Sequence, residues 1–236
     1  MSLPATPNQA PFALTVVTAG TSDPSSSRLL ADRTASAVAA IAKERGREVR
    51  VTVVDLRQIS GEVTSALTSN VLGPGLIAAV DALRDADGLV VSTPVYSAGP
   101  SGLFTSFFQL IDDDIIIAKP VILAATAGSA RHALVVDEQM RSHFAYLRSL
   151  SVPTSLFAAN EDWGDSALGV RIERAALELV LLMESGFAQQ VREISWRDYR
   201  HDEGALVDDA TGFDLDSDMM RLAAGGSLGG EDREPG

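Results

Sequence analysis

Five hydroxyl side chains and one guanidinium crowd into Thr21-Ser22-Asp23-Pro24-Ser25-Ser26-Ser27-Arg28. The apolar run Phe12–Val17 precedes them, and a long helical pattern opens near Arg28. Where a strand hands over to a helix, the first N–H groups have no intrahelical partner and the helix dipole favours an anion. Hydroxyls add donors, and a guanidinium brings a fixed charge with a fork that fits phosphate oxygens. Helix capping uses one serine; the other hydroxyls in this loop need a ligand to explain them. The composition points to a phosphate monoester held by Thr21, Ser22, Ser25, Ser27 and Arg28.

Two further loops offer a different chemistry. Thr93-Pro94-Val95-Tyr96-Ser97-Ala98-Gly99-Pro100-Ser101-Gly102 is stiffened by prolines and opened by glycines, and Tyr96 presents a flat face with a polar tip. Thr126-Ala127-Gly128-Ser129-Ala130 is small enough for a ring system to rest against its main chain. Together the three loops describe a pocket for a phosphorylated aromatic ring. Other chemistries find less. Gly73-Pro74-Gly75 imitates a dinucleotide fingerprint, but no strand immediately precedes it and Pro74 suits the first turn of a helix. There is no Gly-Lys-Ser/Thr phosphate loop and no Gly-x-Ser-x-Gly elbow. The side chains of Asp112-Asp113-Asp114 diverge, as at a solvated helix exit. His132 and His143 stand about three turns apart on one helical pattern, which suits surface or packing roles rather than a shared metal.

The elements that must position these loops alternate. Strands are expected over Phe12–Val17, Val49–Val54, Gly88–Thr93, Val121–Thr126 and Val152–Ala158. Helices are expected over Arg28–Arg45, Leu76–Asp85, Leu103–Ile111, Ala133–Leu150 and Leu168–Val191, with Arg57–Pro74 irregular. Short Val/Ile/Leu-rich strands suit a sheet covered by helices on both faces. Repeated βα units give an α/β fold with an open, doubly wound, five-stranded parallel sheet. The expected strand order is 2-1-3-4-5, with a crevice at the carboxyl ends of strands 1 and 3.

This combination resembles the NADPH-dependent FMN reductase family, a flavodoxin-like group. Gly20-Thr21-Ser22 with Ser25-Ser26-Ser27-Arg28 is similar to its FMN-phosphate loop. Thr93-Pro94-Val95-Tyr96 followed by Gly102 is similar to the segment along the flavin ring, and Thr126-Ala127-Gly128-Ser129 to the third flavin loop. The likeness spans roughly residues 12–195, and the Pro-Val-Tyr variant is similar to that of reductases that feed separate monooxygenases. Thr21 stands where Ser is commoner, and Leu29 where Asn or Thr is usual. The resemblance implies a cofactor-binding set of Thr21, Ser22, Ser25, Ser27, Arg28, Leu29, Pro94, Val95, Tyr96, Ser97, Thr126, Gly128 and Ser129.

It also implies an NAD(P)H-dependent FMN oxidoreductase that moves a hydride from nicotinamide C4 to flavin N5, using NADPH or NADH. The reduced flavin would then go to a monooxygenase or another acceptor. Backbone N–H groups at Gly128 and Ser129 would stabilise charge near flavin N1, and no catalytic acid or base is named. A quinone or azo-type flavin reductase and a non-enzymatic flavodoxin-type carrier are the alternatives. A homodimer or homotetramer is the expected assembly. His132 and Arg131 stand near enough to the third loop for nicotinamide-nucleotide contact, and Trp163 reads as a core, interface or flavin-stacking residue.

The bulk numbers agree with such a protein. The chain has 236 residues, 46% apolar and 22% charged, and no cysteine, which excludes disulfides, thiolate catalysis and Cys-built metal sites. Net charge is −13, but residues 201–236 carry ten acids against two bases. The expected layout is a flexible lead over 1–11, one flavodoxin-like FMN-binding domain over 12–199, and an acidic disordered tail over 200–236. With no basic stripe, signal-like leader or membrane-length apolar run, the expectation is a cytoplasmic protein without nucleic-acid or membrane partners.

Overall fold

The computed structural model describes residues 10–112 and 114–195. The expected tail, most of the expected lead and Asp113 lie outside the described residues. In chain order the elements are β1 (Phe12–Thr18), α1 (Ser26–Glu44), β2 (Val49–Asp55), α2 (Ser60–Ser69), α3 (Pro74–Arg84) and β3 (Gly88–Tyr96). Then come β4 (Gly99–Pro100), α4 (Gly102–Leu110), β5 (Pro120–Thr126), α5 (Arg141–Tyr146), β6 (Leu150–Ser151), β7 (Leu156–Ala158), α6 (Ser166–Glu184) and α7 (Phe187–Ser195).

Sheet order is β2-β1-β3-β5, with β6 and β7 both pairing the far side of β5. Those pairs are parallel, and only the two-residue β4 runs antiparallel, against the end of β3. The expected order 2-1-3-4-5 is therefore present, its fifth strand in two pieces. Alternation along the central strands assigns the faces. Leu14, Val16, Val90 and Ile122 pack with Leu30 and Val38 of α1 and Leu179 of α6. Val17, Leu89, Val91 and Leu123 pack with Leu76 and Leu83 of α3 and Phe104, Phe107 and Phe108 of α4. Phe108 sits 4.8 Å, centroid to centroid, from both Phe104 and Phe144. His143 edges onto Phe108, and burial pushes its imidazole pKa down, so its role is packing.

Four departures have local causes. Residues 60–69, expected to be irregular, form α2, whose Val63 and Ala66 are buried and whose Glu62 carboxylate accepts the Leu76 N–H at the start of α3. The single helix expected over 133–150 is instead a π-helical turn at Val136–Met140 and the short α5, preceded by a 3₁₀ turn at Ala130–His132 and ended before Leu150 enters β6. Strand five divides because Pro153 has no N–H and the Thr154 N–H is taken by the Glu178 carboxylate. The last helix breaks between α6 and α7 at Gly186, whose φ is +63°.

At the opposite end of the sheet from the loops, Lys119 is wholly buried and donates to the carbonyls of Leu83, Arg84 and Ala86, closing the end of α3. Burial pushes its pKa down from 10.5 to about 7. The unfolded chain therefore binds more protons than the fold between about pH 7 and 10.5, and this group favours folding as pH rises through that window. Lys119→Met should lower unfolding free energy by about 1–3 kcal/mol through orphaned carbonyls. The loss should be larger at pH 9 than at pH 6 in urea titrations; an equal loss would contradict the assignment.

Candidate functional site

The loop after β1 reaches α1 through Ser25, which is extended at φ −105° and ψ 122° and whose hydroxyl accepts the Arg28 N–H at 3.2 Å. The first intrahelical bond runs from Leu29 N–H to Ser25 C=O, so the N–H groups of Ser26 and Ser27 precede the helical ladder. Gly20 faces this cap closely: a Cβ there would stand 1.7 Å from Ser25 Oγ. Only glycine lets the strand end approach the helix start so tightly. The first turn of α1 contains no acid.

Ser27 ties this loop to two neighbouring strands. Its hydroxyl pairs with Thr126 Oγ1 at 2.7 Å, and its carbonyl accepts from Ser92 Oγ at 2.9 Å. All three residues are buried. Ser92 belongs to β3 and Thr126 ends β5, so the helix start is fixed to two strands whose ends line the crevice.

The segment expected as a loop after strand three continues as strand through Tyr96, because Val95 and Tyr96 find partners in Pro100 and Gly99. Pro94 ends the β3–β5 register opposite Thr126. Thr93 Oγ1 donates to Ser101 Oγ and accepts the Ser101 N–H, and Ser101 in turn caps α4. Tyr96, about half exposed at 52%, reaches across the crevice to Thr21, hydroxyl to hydroxyl at 2.9 Å. The third loop is tied down by the Ala127 N–H, which donates to Ala158 C=O of β7.

These ends enclose a cavity of about 190 Å³. Nine of the candidate residues line it: Thr21, Ser22, Ser25, Ser27, Pro94, Val95, Tyr96, Thr126 and Gly128. Four do not. Arg28 turns outward into a forked pair with Asp32 at 2.8 and 2.9 Å, Leu29 is exposed, and neither Ser97 nor Ser129 reaches the lining. Gly20, Ser26, Ala127 and Asn160 join the wall. Asn160 stands two residues past the end of β7, so the rule that ligands gather at strand carboxyl ends could have found it. Trp163 packs partly buried beside the α1–α6 core, with the Arg33 guanidinium 5.5 Å above its ring. Arg131 and His132 are hydrogen-bonded to each other in the 3₁₀ turn.

The lining holds hydroxyls, a helix start, an amide and one aromatic ring, with no carboxylate among its residues. That donor set suits an anionic group joined to a flat one. The sheet order and helix layers are those of a flavodoxin-like α/β protein. The profile of the NADPH-dependent FMN reductase family matches residues 13–164, and the chain belongs to that family.

The chain is 35% identical over 179 residues to the NADH-dependent FMN reductase SfnE of Pseudomonas putida, covering 73% of this chain and 92% of that protein. It is 34% identical over 155 residues to an FMN reductase (NADPH) of Pseudomonas aeruginosa, covering 65% of this chain and 80% of the relative. Among solved structures, an oxidoreductase from Corynebacterium diphtheriae superposes with a TM-score of 0.72 at 42% identity, over 74% of this chain and 98% of that one. The apo form of the NADH:FMN oxidoreductase EMOB superposes with a TM-score of 0.63 at 22% identity, over 72% and 89%, a likeness of fold.

Ser27→Ala leaves the buried Thr126 hydroxyl without its partner. Unfolding free energy should fall by about 1–3 kcal/mol, measured by chemical denaturation. Ser22→Ala, at an exposed position in the same loop, should change it by less than about 0.5 kcal/mol. Equal effects would mean that Ser27 does not fasten the loop.

Proposed function

We propose that this chain reduces FMN with NADH or NADPH, and that the phosphate of FMN seats at the start of α1. The observation that carries the reading is one cavity with Ser and Thr hydroxyls and the α1 N-terminus on one wall, and Tyr96 and Gly128 on the others. The free first-turn N–H groups of Ser26 and Ser27 are the strongest donors, because the helix dipole adds to each. Thr21, Ser22 and Ser25 add hydroxyls at the same wall. Arg28 stands one residue beyond, and its partner Asp32 is an exposed carboxylate that a dianionic phosphate can outcompete. Pro94, Val95 and Tyr96 form the surface for the ring. The main chain at Gly128 lines the same cavity, with no Cβ there to hold a ring away.

When bound between the α1 N-terminus and the Pro94–Tyr96 surface, FMN would supply the redox chemistry, with reduced nicotinamide as the hydride donor. The protein's part is to bind, orient and shield. Ser27, locked to Ser92 and Thr126, keeps the donor wall in place without reorganisation, which is how preorganised sites gain strength. Tyr96 closes one side of the crevice by its bond to Thr21.

We infer further that the reduced flavin leaves for an acceptor such as a separate monooxygenase. The relatives' names give FMN as what they reduce. A cytoplasmic homodimer or homotetramer is part of the same reading. Exposed Val170, Leu177 and Leu181, on one face of α6, support self-association. Among the described residues, no single helix is long and apolar enough to cross a membrane.

Anaerobic mixing of protein and FMN with NADH or NADPH tests the activity: the visible flavin absorbance should bleach within the turnover time of an enzyme. Arg28→Ala should weaken FMN binding by about 1–2 kcal/mol, less than a full charged hydrogen bond because Asp32 is released too. Slow bleaching by either donor would leave an electron carrier as the reading. Unchanged FMN affinity in the variant would remove Arg28 from the site.

A further inference from the structure

The β3–β4 connection is a two-residue hairpin: Tyr96 pairs with Gly99 and Val95 with Pro100. Such hairpins favour a turn with positive φ at both central residues, normally supplied by Asn-Gly or Asp-Gly. Here the central residues are Ser97 and Ala98, at φ +48° and +63°. An alanine in the left-handed region sets its Cβ against its own carbonyl, and the conformation persists only where neighbours hold it. Strain is thus stored two residues beyond Tyr96.

Gln139 contacts this turn. Its side-chain amide donates to the Ala98 carbonyl at 2.7 Å. A Cβ at Gly99 would lie 3.1 Å from Gln139 Oε1, so the amide lies close against the turn. Gln139 is itself exposed and sits in the π-helical turn Val136–Met140, between the buried Val136 and Met140. A π-turn adds a residue to the helical circuit and re-aims side chains. The uniform helix expected over 133–150 gives Gln139 no particular direction, so its pattern alone does not single it out.

We propose that Gln139 is a positioning residue for the flavin surface. By pinning the Ala98 carbonyl it keeps the Ser97–Ala98 turn left-handed. That keeps β3 paired to its end and Tyr96 directed at Thr21 across the crevice. This rests on the reading that the crevice takes FMN, so its test includes an arm that involves no flavin.

The variants are Gln139→Leu, Ala98→Gly and both together. Glycine at position 98 removes the left-handed penalty at the residue Gln139 holds, so the turn depends less on the pin. In flavin-free protein, amide exchange over Tyr96–Gly99 should quicken by about fivefold in Gln139→Leu and return toward the parent rate in the double variant. The melting temperature should stay near that of the parent, since Gln139 is outside the core. In the flavin arm, the FMN dissociation constant should rise by a similar factor of about five in Gln139→Leu and by less than about twofold when Ala98→Gly is already present. The maximal turnover rate at saturating FMN should hold. Unchanged hairpin exchange in Gln139→Leu, or an FMN loss that is the same with and without Ala98→Gly, would overturn the proposal. If exchange responds as expected but the parent protein binds no FMN, the pin stands as a structural feature, and it is the flavin reading that fails.

Discussion

The buried contact between Ser27 and its two neighbours is the constraint from which the site follows. One residue at the start of α1 hydrogen-bonds β5 through its hydroxyl and β3 through its carbonyl. Loops after parallel strands are otherwise free to vary in position, and three of them must agree if a single ligand is to touch all of them. Fastening the helix start to both of these strands removes that freedom before any ligand arrives. Gly20 is the complementary requirement, because any side chain there would displace the Ser25 cap that begins the same helix.

Rigidity on one wall contrasts with adjustable features on the other. Tyr96 is held by a single exposed hydrogen bond to Thr21 and by a hairpin whose two central residues sit in the left-handed region. Exposed bonds and locally strained turns are where proteins place motion, because they open at small free-energy cost. A donor wall fastened at Ser27 therefore faces an aromatic wall held by one exposed hydrogen bond and a left-handed turn. Among the described residues, the cavity lining includes no carboxylate and no imidazole.

Much of this was legible in the sequence, for identifiable reasons. The hydroxyl cluster at 21–27 is local, so its composition alone announces a helix start with surplus donors. The sheet order followed from alternation of strand and helix, since parallel neighbours require crossovers. The helix α2 was not legible: Ser60, Thr64, Ser65, Thr68 and Ser69 are weak helix formers, and only Val63 and Ala66 show the buried stripe. Asn160 entered the cavity from a distant segment with no motif of its own. The pairing of Ser27 with Thr126 joins residues 99 positions apart, and only the β3–β5 register brings them together. Arg28 marks the limit of composition as a guide. Its charge was evident, but Asp32, one turn later, draws the guanidinium away from the wall.

The most direct measurement is a crystal structure of the protein with FMN. The account predicts phosphate oxygens within hydrogen-bond reach of the Ser26 and Ser27 N–H groups, with the Ser27–Thr126 bond intact and the ring beside Pro94–Tyr96. A phosphate lodged at any other element, or a ring bound away from Tyr96 and Gly128, would contradict it.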